Sequence, residues 1–310
     1  MRRDRICVRT TIAHGVKLMV PLIFDDKYLE EVGCNLFGSS RRALFRERLD
    51  ERVGYRFKNN RCLDCGLVYV SPRLRQEWRS TFNSWDVICD RGLEYDAQAS
   101  YHILTAQRRL QRVERYLGGP GKIMDVGCAT GYFLDTARKR GWLVSGVEVD
   151  PKPATQASER CGLPVTIGSL EAARCQDSYF DCVHMNDVIE HLPDPVGTLR
   201  EARRILKQSG VLFVGTHNLE SLRSRLDGNQ WRDLGGLDHL FCFSAKTLRI
   251  MLKEADFEIQ ATTSGDILKI ADKAELGKPG MLRYAFYRLV SVFRTATRLG
   301  SEIQFYATPR

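Results

Sequence analysis

Along residues 101–117, YHILTAQRRLQRVERYL, apolar positions recur every three or four residues. Ile103, Leu104, Leu110, Val113 and Leu117 are therefore expected near one another on a helix ended by Gly118-Gly119-Pro120. From residue 122 the spacing changes, and short apolar runs alternate with amphipathic ones. The pattern predicts strands at 122–126, 143–148, 164–167, 180–185, 211–216, 257–263 and 303–307. It predicts helices near 131–140, 154–160 and 196–207, and one beginning after Ser244. Asp194 is the expected N-cap of the helix at 196–207, with Pro195 at its first position and Val196, Leu199, Ala202, Ile205 and Leu206 on its apolar face. Leu248, Met251, Leu252 and Ala255 are the core stripe of the helix that Ser244 caps. Strand and helix in alternation predict an α/β fold, a doubly wound and mostly parallel seven-stranded sheet with helices on both faces.

Charge divides the chain differently. The net charge is +9 over 310 residues; residues 1–80 hold 17 Lys/Arg against 10 Asp/Glu, and residues 281–310 hold 5 against 1. The basic character thus sits at the two ends, and the middle is slightly acidic. A basic segment by itself does not make a nucleic-acid enzyme, and no specific nucleic-acid partner is expected. No apolar run reaches the 18 or so residues that span a bilayer. The start MRRDRICVR is followed by neither a good apolar core nor a small-residue cleavage site, so export is not expected. Ten cysteines over this length do not form a dense disulfide pattern, and a reducing cytoplasm is the expected compartment.

The turn in KIMDVGCATGYFL, 122–134, spends two glycines, Gly127 and Gly131, between a buried strand and a helix. Either the turn is merely tight, or something lies against bare main chain where a Cβ would intrude. Ligands of doubly wound sheets bind beyond the carboxyl ends of the strands, where strand order reverses. Glu148 ends the next strand, where an acidic side chain accepts the hydroxyls of a ribose. The G-x-G-x-x-G of dinucleotide sites and the Gly-Lys-Ser/Thr of phosphate loops are both missing. Asp125, read as standing at the mouth of the turn, suits an amine or a sulfonium better than a pyrophosphate. S-adenosylmethionine carries a ribose, an amino group and a positive sulfur.

At these residues the chain resembles class I S-adenosylmethionine-dependent methyltransferases, and among them the ubiquinone-biosynthesis type. DVGCATG is similar to the family's D-x-G-x-G-x-G, with Ala129 in place of the middle glycine. GVEVD at 146–150 resembles the ribose-binding strand end, and GSLEA at 168–172 the adenine-binding turn, with Ser169 where an acid is common. FDCVHMNDVIEHLPDP at 180–195, LREARRILKQSGVLFVGTHN and DHLFCFSAKTLRIMLKEADFEI match further segments, although Asp256 replaces a usual glycine. The resemblance covers roughly 97–265 and the last strand. It implies a Rossmann-like methyltransferase domain over 81–310 with a helical insertion at 267–300. It also implies S-adenosylmethionine as cofactor, held by Asp125, Gly127, Cys128, Gly131, Glu148, Val149, Ser169, Leu170, Asn186 and Asp187. No N-P-P-Y, D-P-P-Y or Pro-Cys follows the fourth strand, which argues against methylation of nucleic-acid bases.

The expected chemistry is O-methylation of a small molecule or glycan by in-line displacement. The alternative is a non-catalytic nucleoside-binding scaffold that keeps the fold. A hydroxyl acceptor needs a base, and histidine titrates in the right range. His191 is the first choice and His239 the second; His184 reads as a core residue, His217 as loop architecture, and His14 and His102 as surface or packing residues.

Residues 1–80 read as a basic N-terminal segment with two zinc-ribbon-like knuckles. CNLFGSS and RCLDCGLVYVSP resemble a C-x₂-C pair of pairs in which Cys34, Cys62 and Cys65 remain and Phe37 fills the fourth place. A degenerate ribbon without tightly held zinc is expected, packed through Phe37, Leu63, Val68 and Tyr69. MLRYAFYRLVSVFRTATRLG, 281–300, reads as a helix with Leu282, Ala285, Phe286, Leu289 and Phe293 in one stripe. Packing on the sheet is the favoured reading of that stripe, and peripheral membrane contact is the other.

Overall fold

A computed structural model describes residues 6–12, 16–22, 24–82, 96–264 and 299–310. The helix expected over 281–300, and with it the insertion at 267–300, lies outside these residues apart from the last two positions. Among the described residues no helix is long and apolar enough to cross a membrane. Two compact units are present, one of Met1–Asp96 with Asp227–Cys242, the other of Ala97–Leu226 with Phe243–Arg310. A segment far along the chain, Asp227–Cys242, joins the N-terminal unit.

In the N-terminal unit, β1 (Ile6–Ile12) and β2 (Val16–Leu22) form an antiparallel hairpin. β3 (Leu29–Glu30) pairs with β7 (Arg73–Leu74). β4 (Arg42–Asp50), β5 (Tyr55–Cys62), β6 (Val68–Val70) and β13 (Phe241–Cys242) make an antiparallel sheet in the order β13-β6-β5-β4. Tyr28, Phe57, Val70, Leu74 and Leu237 form its core. The late segment is bound in by polar contacts: buried Asn59 donates to the Gly235 carbonyl (3.0 Å), and Arg52 bridges Asp50 (2.5 Å) and Asp238 (3.2 Å). Val68 and Tyr69 are buried as expected, but Phe37 and Leu63 are 51% and 57% exposed. Those two do not pack the ribbon; the cysteines beside them do the converging.

The second unit carries β8 (Lys122–Val126), β9 (Leu143–Glu148), β10 (Thr166–Ile167), β11 (Phe180–Asn186), β12 (Leu206–His217), β14 (Phe257–Ser264) and β15 (Glu302–Pro309). Their order is β10-β9-β8-β11-β12-β15-β14. The first five are parallel, and β15 runs antiparallel to both of its neighbours. The expected doubly wound seven-stranded sheet is therefore present. α1 (Ala99–Leu117) packs on α2 (Tyr132–Lys139), which packs on α3 (Pro151–Cys161). α4 (Pro195–Ile205) packs on α5 (Ala245–Glu254). The apolar faces expected for α4 and α5 are buried throughout, and Ser244 caps α5 in a reciprocal box with Thr247. On α1, Leu110 and Val113 are buried, but Ile103 is 38% exposed, and Thr105 and Ala106 occupy the buried face instead.

Candidate active site

Strand order reverses between β8 and β11. The chain leaves β8 outward through β9 and β10, then returns on the other side of β8. The carboxyl ends of β8, β9, β11 and β12 therefore surround the crevice where this architecture binds ligands.

The turn after β8 is wound by left-handed residues: Gly127 at φ +68°, Ala129 at +47° and Gly131 at +84°. Its two glycines answer to the protein's own packing. A Cβ on Gly127 would meet Val188 Cγ2 at 2.6 Å, and one on Gly131 would meet the Ala157 Cα at 2.8 Å. Ala129 adopts without glycine a conformation that costs an L-residue about 1–2 kcal/mol. Asp187, at the end of β11, is a second non-glycine residue at positive φ (+53°). Such residues persist where the surrounding structure holds them, and they gather at functional sites.

Glu148 turns toward this loop. One carboxylate oxygen accepts the Ala129 N–H and the other the Asp150 N–H, both at 3.0 Å. Burial raises its pKa against these bonds. Asp125 is corrected by the structure. It is 3% exposed, and its carboxylate lies 2.6 Å from Nδ1 of His184, the residue opposite it on β11. It stands inside the sheet rather than at the mouth of the turn. His184 is the core histidine expected, stacked between Phe133 (3.6 Å) and Phe213 (4.8 Å). Burial lowers its pKa while Asp125 opposes the shift.

The other expected cofactor residues divide. The Cys128 thiol packs in the core with Leu134, Ala157 and Cys161. Leu170 is buried, Val149 is 70% exposed, and the Ser169 hydroxyl accepts the Ala172 N–H at 3.3 Å. Asn186 donates to Asp187 at 2.8 Å, and both stand at the mouth of the crevice. His191 closes the turn Ile189–His191 just beyond β11. His239 belongs to the N-terminal unit, where its Nδ1 lies 3.2 Å from the Asp233 carbonyl oxygen.

Glu190, which the sequence reading passed over, completes the site with Asp187 and His217. Glu190 is 2% exposed, with one carboxylate oxygen 3.8 Å from His217 Nε2, and Asp187 is 3.9 Å from the same nitrogen. Burial and then the Asp187 charge push the Glu190 pKa up to about 8. Thr130 Oγ1, Asn186 Oδ1, both Glu190 oxygens and Thr216 Oγ1 are buried without a well-formed hydrogen bond. Native interiors rarely leave such groups unmatched. These groups lie on and beside the carboxyl ends of β8, β11 and β12, and a polar ligand in the crevice would supply partners for them. Glu190 lay in view in EHLPDP, but only the register of β11 and β12 reveals its meeting with His217.

A family model for a methyltransferase domain matches residues 95–262, more than half of the chain. The chain belongs to the methyltransferase domain family. With the sheet order above, this makes it a class I S-adenosylmethionine-dependent methyltransferase. The methyltransferase is 26% identical over 183 residues to the ubiquinone biosynthesis O-methyltransferase of Haemophilus ducreyi, covering 56% of this chain and 72% of that one. It is 31% identical over 107 residues to the enzyme of the same name from Actinobacillus pleuropneumoniae, covering 31% and 46%. It spans about half the length of most of the curated relatives it matches. Among solved structures it shares its fold with a methyltransferase of Thermotoga maritima described as a possible histamine N-methyltransferase. The TM-score is 0.50 at 23% identity, covering 70% of this chain and 95% of that one.

Proposed function

We propose that this methyltransferase methylates a hydroxyl oxygen of a small molecule. The observation that carries the reading is the histidine held beside two acidic side chains, His217 with Asp187 and Glu190, at the carboxyl end of the sheet. A hydroxyl becomes a good nucleophile only as its proton leaves, and a base worth about 10²–10⁴ in rate suits that need. The names of the curated O-methyltransferase relatives support oxygen as the acceptor atom and a small molecule over a glycan. Nothing in the site favours a non-catalytic scaffold.

S-adenosylmethionine supplies the methyl group on a sulfonium leaving group. On this reading the chain's residues divide the remaining work. Glu148, which accepts main-chain N–H groups of Ala129, Val149 and Asp150, offers its remaining lone-pair capacity to the ribose hydroxyls. Gly127 and Gly131 fix the turn over which the nucleoside lies, Ser169 and Leu170 flank the adenine, and the Asn186–Asp187 end takes the amino group. His217 accepts the hydroxyl proton and becomes a cation beside the Asp187 carboxylate, which stabilises it. The base thus moves from His191, the residue the sequence favoured, to His217.

The test is transfer from donor carrying a ¹³C-methyl group into a fractionated metabolite extract, with the product read by NMR. Label on oxygen supports the reading; label only on nitrogen or carbon, or no transfer at all, overturns it. With an accepted substrate in hand, His217→Asn should lower kcat by about 100-fold or more, with donor affinity held within about 3-fold. A loss of that size in His191→Asn but not in His217→Asn would return the role to His191.

A further inference from the structure

The N-terminal unit holds a second chemical feature that methyl transfer does not use. Two short turns, Cys34-Asn35-Leu36-Phe37-Gly38 and Cys62-Leu63-Asp64-Cys65-Gly66, are built alike, hydrogen bond for hydrogen bond. In each, the first cysteine's carbonyl accepts the N–H of the glycine four residues on, at 2.8 Å for Gly38 and 3.0 Å for Gly66. In each, that cysteine's own N–H donates to the carbonyl five residues on, Ser39 (3.0 Å) and Leu67 (2.9 Å). Both glycines are left-handed, at +62° and +85°. The amides two and three places along donate to the cysteine sulfur: Leu36 and Phe37 to Cys34, Asp64 and Cys65 to Cys62. A fifth amide, Leu67, reaches the Cys65 sulfur at 3.4 Å.

Main-chain N–H groups aimed at sulfur stabilise a thiolate, as they would any anion. The three thiols are buried, at 1%, 1% and 4% exposure, and their sulfurs lie within 4.8 Å of one another. Cys34 and Cys65 are 3.5 Å apart at sulfur, far longer than the roughly 2.05 Å of a disulfide. A tetrahedral ion with metal–sulfur bonds of about 2.3 Å holds its ligands roughly 3.8 Å apart, close to this spacing. The likeness of the two turns also locates the missing corner. Position 37 corresponds to position 65, and Phe37 stands there with its side chain half-exposed. Among the described residues no fourth cysteine, histidine or carboxylate joins the cluster.

We propose that Cys34, Cys62 and Cys65 bind one zinc ion per chain as a three-thiolate site, whose fourth position, opened by Phe37, is taken by an exchangeable ligand from solvent. Binding releases the thiol protons to solvent and leaves the oxidation state of the sulfurs unchanged. This replaces the sequence expectation of a ribbon without tightly held metal, and it does not depend on the methyl acceptor.

The full chain, purified under reducing conditions and reconstituted with zinc, should hold one zinc per chain by elemental analysis and native mass spectrometry. Cys62→Ser should lose it. Loss of a buried ligand can also unfold the unit, so Phe37→Cys supplies the opposite perturbation: it closes the site and should slow zinc transfer to a colorimetric chelator by at least 10-fold. Less than about 0.1 zinc per reconstituted chain, a metal-free Cys34–Cys65 disulfide in the reduced preparation, or unchanged transfer kinetics in Phe37→Cys would each overturn the proposal.

Discussion

Replacing Gly131 with alanine tests whether the glycine turn serves packing or the ligand. The residue sits at φ +84°, where an alanine pays about 1–2 kcal/mol. Its Cβ would lie 2.8 Å from Ala157 Cα, 3.0 Å from Ala157 Cβ and 3.3 Å from the Ala157 carbonyl oxygen. None of these atoms can rotate away, so α2 and α3 must separate, and overpacking of this kind costs roughly 1–3 kcal/mol. Against this, alanine restricts the unfolded chain and returns about 0.4–1 kcal/mol. The net expected loss is about 1–4.5 kcal/mol, a large share of the roughly 5–15 kcal/mol that holds a domain together. Urea unfolding followed by far-ultraviolet circular dichroism measures it. Gly127→Ala is the internal comparison: its Cβ meets only the end of the Val188 side chain, which can turn, so its loss should be the smaller of the two. A loss under about 0.5 kcal/mol for Gly131→Ala, or a larger loss for Gly127→Ala, would refute the packing argument.

Glu148→Gln should weaken S-adenosylmethionine binding by about 10–100-fold in isothermal titration, because a charge-assisted acceptor is worth roughly 1.5–3 kcal/mol; a change under 3-fold would contradict its role. Glu190 makes stability depend on pH. Its carboxyl is raised from 4.5 to about 8, so the folded chain keeps a proton that the unfolded chain releases. That contribution is fully present below pH 4.5 and lost as pH rises through about 8. At about 1.4 kcal/mol per pH unit it amounts to at most on the order of 5 kcal/mol, less whatever His217 returns. Glu190→Gln should flatten the fall in urea midpoint between pH 5 and pH 8.5, and an unaltered slope would show that the group does not titrate there. Asp125→Asn should cost about 1–3 kcal/mol through its buried bond to His184, with donor affinity little changed; the reverse pattern would restore Asp125 to the ligand.

Period and punctuation made much of the catalytic sheet legible. β8 and β9 span the residues the apolar runs predicted, and Asp194 and Ser244 cap their helices because their side chains reach the free amides of the first turn. Other features depend on pairing between distant segments. β12 begins at Leu206 rather than near 211, since its partner β11 shifts register between Phe180 and Cys182 and lets the polar Lys207–Gly210 stretch into the strand. Asp125 was misplaced for the same reason. Alternation along β8 puts it on the face of Ile123, and only the register with β11 sets His184 opposite. Glu190 and His217 lie on segments 27 residues apart, and no local pattern announces their approach. In the N-terminal unit, arginines break up the apolar pattern of β4 and β5, and β6 and β13 are only three and two residues long, so the alternation that marks strands was hidden.

The Asp125–His184 pair has a consequence for how the sheet assembles. A slip of one residue between β8 and β11 would swing the imidazole to the opposite face, away from Phe133, Phe213 and the acid, and leave two polar groups stranded in hydrocarbon. Each wrong alignment is thereby penalised at the centre of the domain, and the crevice inherits its dimensions from a pair packed inside the sheet.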